Sequence, residues 1–142
     1  MEKSVPQVMR TEHETILKVI DRLSASYSGR RADDYLACLA ETSMVYGTGL
    51  DETCLGADEI RLHLDRDWAQ SSRASFTLKN PRVEVASNMA WAAGDCHFEF
   101  AVEEGEGSLP GRATFVLVLV DGQWRIQHAH FSAPSGTEGN SF

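Results

Sequence analysis

The sequence has little that would tie it to a membrane, a nucleic acid or an oxidising compartment. No apolar run approaches the ~20 residues that a bilayer span requires, and residues 1–10 contain no apolar stretch of signal-peptide length. Basic residues are scarce: 13 Lys and Arg stand against 21 Asp and Glu, for a formal net charge of -8. Phosphate backbones are bound by clustered Lys/Arg surfaces, so no nucleic-acid partner is expected. The same charge disfavours an anionic membrane. Only three cysteines are present, Cys38, Cys54 and Cys96, widely spaced and with no C-x-x-C. That pattern signals neither a disulfide framework nor a structural zinc site. A phosphate-binding loop, a G-x-G-x-x-G and a G-x-S-x-G are all missing. The expectation is a reduced, cytoplasmic protein with no cofactor and no metal.

What is present suits one globular domain. Of 142 residues, 42% are hydrophobic and 24% charged, enough to fill a single core. Thr11 and Glu14 fit a capping box. Behind them Ile16, Ile20, Leu23 and Tyr27 recur at helical spacing, up to Gly29. A short second helix carries Ala32, Tyr35, Leu36 and Leu39 on one face. A strand is expected over 42–48, then a turn at Gly47, Gly49 and Asp51. A third helix opens at Gly56 with Asp58 and Glu59 in its first turn, and its stripe is Ile60, His63, Leu64, Asp67 and Trp68. A His and an Asp on an otherwise apolar stripe are unusual.

The remainder reads as strand: 75–79, a break at Pro81, 82–86, 89–102 with a bulge or bend at Gly94, 112–120, an Asp121-Gly122 hairpin and 124–132. Helices followed by antiparallel strands make an α+β domain, spanning 11–133 with flexible tails at 1–10 and 134–142. Phe115 to Val120 is apolar on both strand faces. Three helices can cover one face of the sheet. The other face needs a second cover, and another copy of the sheet is the simplest one, so a homodimer through the sheet's back face is expected.

The segment Asp121-Gly-Gln-Trp-Arg-Ile-Gln-His-Ala-His-Phe-Ser132 resembles the terminal D-G-x-W-x-I-x-H-x-H-x-S strand of SnoaL-like domains and of the association domain of calcium/calmodulin-dependent protein kinase II. Trp68 at the end of a helix and the Asn80-Pro81 break occupy comparable places. The resemblance covers about residues 12–133 and implies a nuclear transport factor 2-like fold: three N-terminal helices packed on a strongly curved, mostly antiparallel six-stranded sheet, forming a cone with a central pocket. Relatives of that architecture include isomerases, cyclases, dehydratases and non-catalytic association domains, and fold does not choose among them. The Tyr of ketosteroid isomerase falls near Arg22 or Leu23 and its general base near Tyr46 or Gly47, so that triad is missing. The pocket arginines of the kinase association domain fall at Asp95, Phe115 and Phe131, so its anion pocket is not expected either.

Candidate chemistry is therefore taken from the residues. His128 and His130, two apart, share a strand face with Trp124 and Ile126. They could bind a metal with His97 or Glu99, or be structural groups belonging to the fold. Asp95, His97 and Glu99 form a polar face opposite Cys96, Phe98 and Phe100. A carboxylate beside an imidazole suits acid–base work, which makes Asp95 and His97 the catalytic candidates if that face looks into the cone. Tyr46, His63, Trp68, Phe115 and Phe131 are the candidate ligand-binding walls. The leading expectation is a homodimer binding a small, mostly apolar organic molecule, with isomerase, cyclase or dehydratase chemistry as its enzymatic form. The alternative is a pure association domain.

Overall fold

Residues 7–134 are described by the structure, a computed structural model. Helix α1 (Gln7–Ser28) and the short α2 (Ala32–Ala37) lead into β1 (Leu39–Tyr46), β2 (Thr53–Leu55) and α3 (Gly56–Gln70). Four long strands follow: β3 (Arg73–Ala86), β4 (Met89–Val102), β5 (Gly105–Val120) and β6 (Gln123–Ser132). The sheet order is β2-β1-β6-β5-β4-β3. Every pairing is antiparallel except that of β1 with β6. The result is three helices on a curled, mostly antiparallel six-stranded sheet, the α+β architecture expected. No helix among the described residues is long and apolar enough to cross a membrane.

One stripe of α1 drives the packing. Ile16, Val19, Ile20 and Leu23 are buried against sheet residues that include Ala92, Phe115, Leu117 and Ile126. The Ser24 hydroxyl ties the helix to β3 by donating to the Phe76 carbonyl. At the end of α1 the left-handed residue is Arg30, φ 56°, rather than the glycine before it. Its guanidinium donates to the Trp68 and Ser71 carbonyls, which fastens the end of α1 to the end of α3.

Three local expectations need correction. The first helix starts at Gln7, ahead of Thr11, whose carbonyl accepts from the Thr15 hydroxyl at 2.9 Å inside the helix. Residues 7–10 are thus helical, while residues 1–6 and 135–142 of the expected tails lie outside the described residues. Secondly, β3 continues as one strand through Pro81, which an edge strand tolerates because one side of its backbone needs no ladder partner, and the break expected there takes the form of an interruption in its ladder with β4. The irregularity expected at Gly94 falls on β3 instead, between Lys79 and Arg82, where Asn80 has φ 50°. Gly94 makes room for it: a Cβ there would sit 2.6 Å from the Lys79 carbonyl oxygen.

Thirdly, β6 changes parity. Its pairing with β5 passes from Ile126 opposite Leu117 to His128 opposite Val116, which leaves Gln127 as the extra residue of a bulge. Trp124 and Ile126 therefore share the buried face with Ala129 and Phe131, not with the two histidines. His128 and His130 stand on the outer face of the sheet. There the His128 Nδ1–H donates to the Met44 carbonyl at 2.8 Å, and the Tyr46 ring packs against both imidazoles, with centroids 5.5 and 5.2 Å away.

Candidate functional site

A cavity of about 330 Å³ opens between α1, α3 and the inner faces of β3 and β4. Its apolar wall is aromatic. Phe76 of β3 and Phe98 of β4 both meet Phe131 of β6 edge-on, with centroid separations of 5.0 and 6.2 Å. Such tilted contacts suit the ring quadrupoles.

The polar wall is carried by helices. Tyr27 is the last residue of the α1 stripe, so the spacing that buries Ile16, Ile20 and Leu23 also turns its ring inward. His63 and Asp67 lie four apart on α3 and share one face. The Tyr27 Oη donates to Asp67 Oδ2 at 2.8 Å, and His63 Nε2 lies 3.4 Å from the same oxygen. Trp68 supports this arrangement from behind. Its ring packs 6.2 Å from that of Tyr27, and its Nε1–H donates to the Tyr27 carbonyl at 3.1 Å.

The segment between β1 and β2 completes the site with Gly47, Thr48 and Glu52. Glu52 Oε2 accepts from the Gly49 N–H at 2.9 Å. Its other oxygen lies 3.5 Å from the guanidinium of Arg66, which also reaches Asp51 at 3.3 Å and His63 Nδ1 at 3.4 Å.

Electrostatics assign roles to the tyrosines. Burial, then the charge of Asp67, then the hydrogen bond to it push the Tyr27 hydroxyl far above the ordinary tyrosine value. Burial and next the Asp67 charge do the same to Tyr35, which also lines the cavity. Both are therefore proton donors at neutral pH, not bases. The three thiols are buried. Burial raises all three, Cys96 to about 11, which leaves little thiolate for nucleophilic chemistry. Ligand atoms of Glu52, His63 and Asp67 all lie within 4.8 Å of one another. They are one carboxylate, one imidazole and a second carboxylate, with Arg66 beside them at Glu52 Oε1 and His63 Nδ1.

Of the residues singled out in the sequence, His63 and Phe131 line the cavity. Trp68 backs Tyr27 instead of lining it, and Phe115 is fully buried beneath Phe131, with ring centroids 5.6 Å apart. Tyr46 lies on the outer face with His128 and His130. Asp95 and His97 also fall outside the cavity. The β4–β5 ladder runs from Met89 to Val102 without a register shift, so strict alternation sends Cys96 into the core and Asp95 and His97 to the other face. Asp95 is exposed there, across from Arg112, and His97 Nε2 lies 3.4 Å from Glu99. Tyr35 and Glu52 were not anticipated in the site, nor was the Tyr27–Asp67 pair. The Asp67 signal was available in the His-to-Asp spacing on α3; nothing periodic marked Glu52.

With the geometry in hand, the chain can be set beside known proteins. The family model for the SnoaL-like domain matches residues 16–136. None of the curated proteins matches the chain in sequence. Among solved structures, a nuclear transport factor 2-like superfamily protein from Salmonella enterica superposes with TM-score 0.81 at 21% identity, covering 94% of this chain and 99% of that one. A candidate scytalone dehydratase from Novosphingobium aromaticivorans gives 0.80 at 18% identity, with coverages of 92% and 89%. A candidate calcium/calmodulin-dependent protein kinase II association domain from Xanthomonas campestris gives 0.76 at 18%, with 86% and 87%. At these identities the shared property is the fold.

Proposed function

The chain belongs to the SnoaL-like domain family, and from that premise we propose that it binds a small, mostly apolar organic compound in the cavity and performs cofactor-independent acid–base chemistry on it. One observation carries this reading. A connected proton-bearing group, Tyr27–Asp67–His63, stands at one side of a cavity whose opposite wall is phenylalanine. Apolar walls with a few convergent polar groups are the usual make-up of a small-molecule site.

The roles follow from the contacts. Tyr27 stays protonated and offers its O–H to a ligand oxygen or to Asp67. Asp67 is the carboxylate on which both neighbours converge. His63 Nε2, 3.4 Å from the same carboxylate oxygen, exchanges a proton with it, so that a proton taken from the ligand by one group can be held by the other. Moving a proton on and off a ring compound in this way serves an isomerisation, a cyclisation or a dehydration. The structural likeness to a candidate scytalone dehydratase supports the last of these. Thermal-shift screening against ring ketones and hydroxyketones is expected to find stabilising compounds, since any ligand of the native state raises its stability. A set without one stabilising member counts against the reading.

We also propose that the protein acts in the cytoplasm as a homodimer, through the sheet face turned away from the helices. Met89, Trp91 and Tyr46 are 45%, 40% and 37% exposed there, and Trp91 and Met89 pair with Val116 and Val118 of β5. Such an apolar patch is costly to leave in water. Light scattering at micromolar concentration is expected to give twice the chain mass of 15.7 kDa; a monomer refutes the dimer. The same face would serve a pure association domain, and ligand-induced stabilisation separates the two readings.

A further inference from the structure

The charge around the cavity narrows the chemistry of what it holds. Two acidic side chains face it, Glu52 and Asp67, and none of the described residues lining it is lysine or arginine; Glu99, at its edge, turns its carboxylate to His97 on the outer face. The charge of Glu52 is offset from outside the lining by Arg66, 3.5 Å away. Asp67 has no Lys or Arg partner among the described residues. Its two side-chain contacts are with the Tyr27 hydroxyl and the His63 ring, both at Oδ2. Oδ1 is thus left to a ligand.

Around this carboxylate stand aromatic rings. Tyr27 is 6.3 Å from Tyr35 and 5.4 Å from Phe76, centroid to centroid. Phe98 and Phe131 continue the wall. A protonated amine is attracted both by an anionic oxygen and by ring faces within about 6 Å. A ligand carboxylate would meet Asp67 with no Lys or Arg among the described lining residues to receive it, and like charges brought together out of bulk water cost free energy. A neutral alcohol would keep one hydrogen bond and gain nothing from the rings.

We infer that the ligand of this cavity is an organic amine, with its ring or alkyl body on Phe76, Phe98 and Phe131 and its protonated nitrogen against Asp67. The inference rests on the reading of the cavity as a ligand site and names the ligand's polar end.

Three probes with one ring system test it: 2-naphthylmethylamine, 2-naphthalenemethanol and 2-naphthoic acid, titrated calorimetrically into the full chain at pH 7. The amine is expected to bind about tenfold more tightly than the alcohol, and the acid more weakly than both. In Asp67→Asn the amine is expected to lose that advantage, while Asp95→Asn, a carboxylate removed from the outer face, keeps it. An acid that binds as tightly as the amine, or an amine no better than the alcohol, overturns the inference and leaves the cavity reading standing. An amine advantage that survives in Asp67→Asn overturns it as well. Failure of all three probes to bind overturns both.

Discussion

Replacing Phe115 by alanine is expected to cost the fold about 3–5 kcal/mol. Phe115 is fully buried and lies on the inner face of β5 between Ala92 of β4 and Ala129 of β6. Both neighbours are alanines and both are themselves buried. One large ring therefore fills the width of three strands, and neither flanking side chain can reach into the space it leaves. The ring also supports Phe131 edge-on at 5.6 Å, so its loss would loosen the cavity wall. Urea unfolding should show a lowered midpoint with an unchanged slope. A loss below about 1 kcal/mol would mean that α1 settles onto the sheet and closes the gap.

His63→Ala is expected to lower the turnover of any compound converted in the cavity by about 10²–10⁴-fold, the usual worth of a positioned acid–base group. Stability should change little, because the His63 side chain is 17% exposed and its removal leaves the Tyr27–Asp67 hydrogen bond intact. That separation is the useful readout: a fall in kcat with Tm nearly constant. Equal kcat in variant and wild type would remove His63 from the chemistry and leave Tyr27 and Asp67 as binding groups only.

How far the sequence foretold these features depends on which period carried them. The stripe Ile16–Ile20–Leu23–Tyr27 and the Asp121-Gly122 turn were legible because a 3.6-residue repeat and a hairpin dipeptide are local signals; the turn appears with φ 49° and 78° at its two residues. The terminal D-G-x-W-x-I-x-H-x-H-x-S strand disclosed the fold. Facing was harder, because a period of two has no tolerance for a single inserted residue. The bulge at Gln127 inverted the reading of half of β6. Gly94 invited a bulge in β4 that in fact belongs to its neighbour β3, and with β4 unbroken Asp95 and His97 point outward. Glu52 was invisible for another reason. It is brought to His63 by a turn and by Arg66, contacts that leave no repeating trace in the chain.

The parallel pairing of β1 with β6 has a consequence for how the molecule comes into being. Tyr46 lies beside His130 and Met44 beside His128, so the first long strand to leave the ribosome waits for the last. Until β6 has emerged, β1 has only the three-residue β2 as a partner, and the groove that receives α1 lacks Ile126 and Phe131. Long-range pairing of this kind slows folding, because the loop must close before its contacts repay it. Synthesis from the N-terminus therefore yields a sticky half-sheet with a bare strand edge, the state most open to aggregation or chaperone capture. A nascent chain truncated before Trp124 should behave as that state, and native protection should arrive in one step with the final strand.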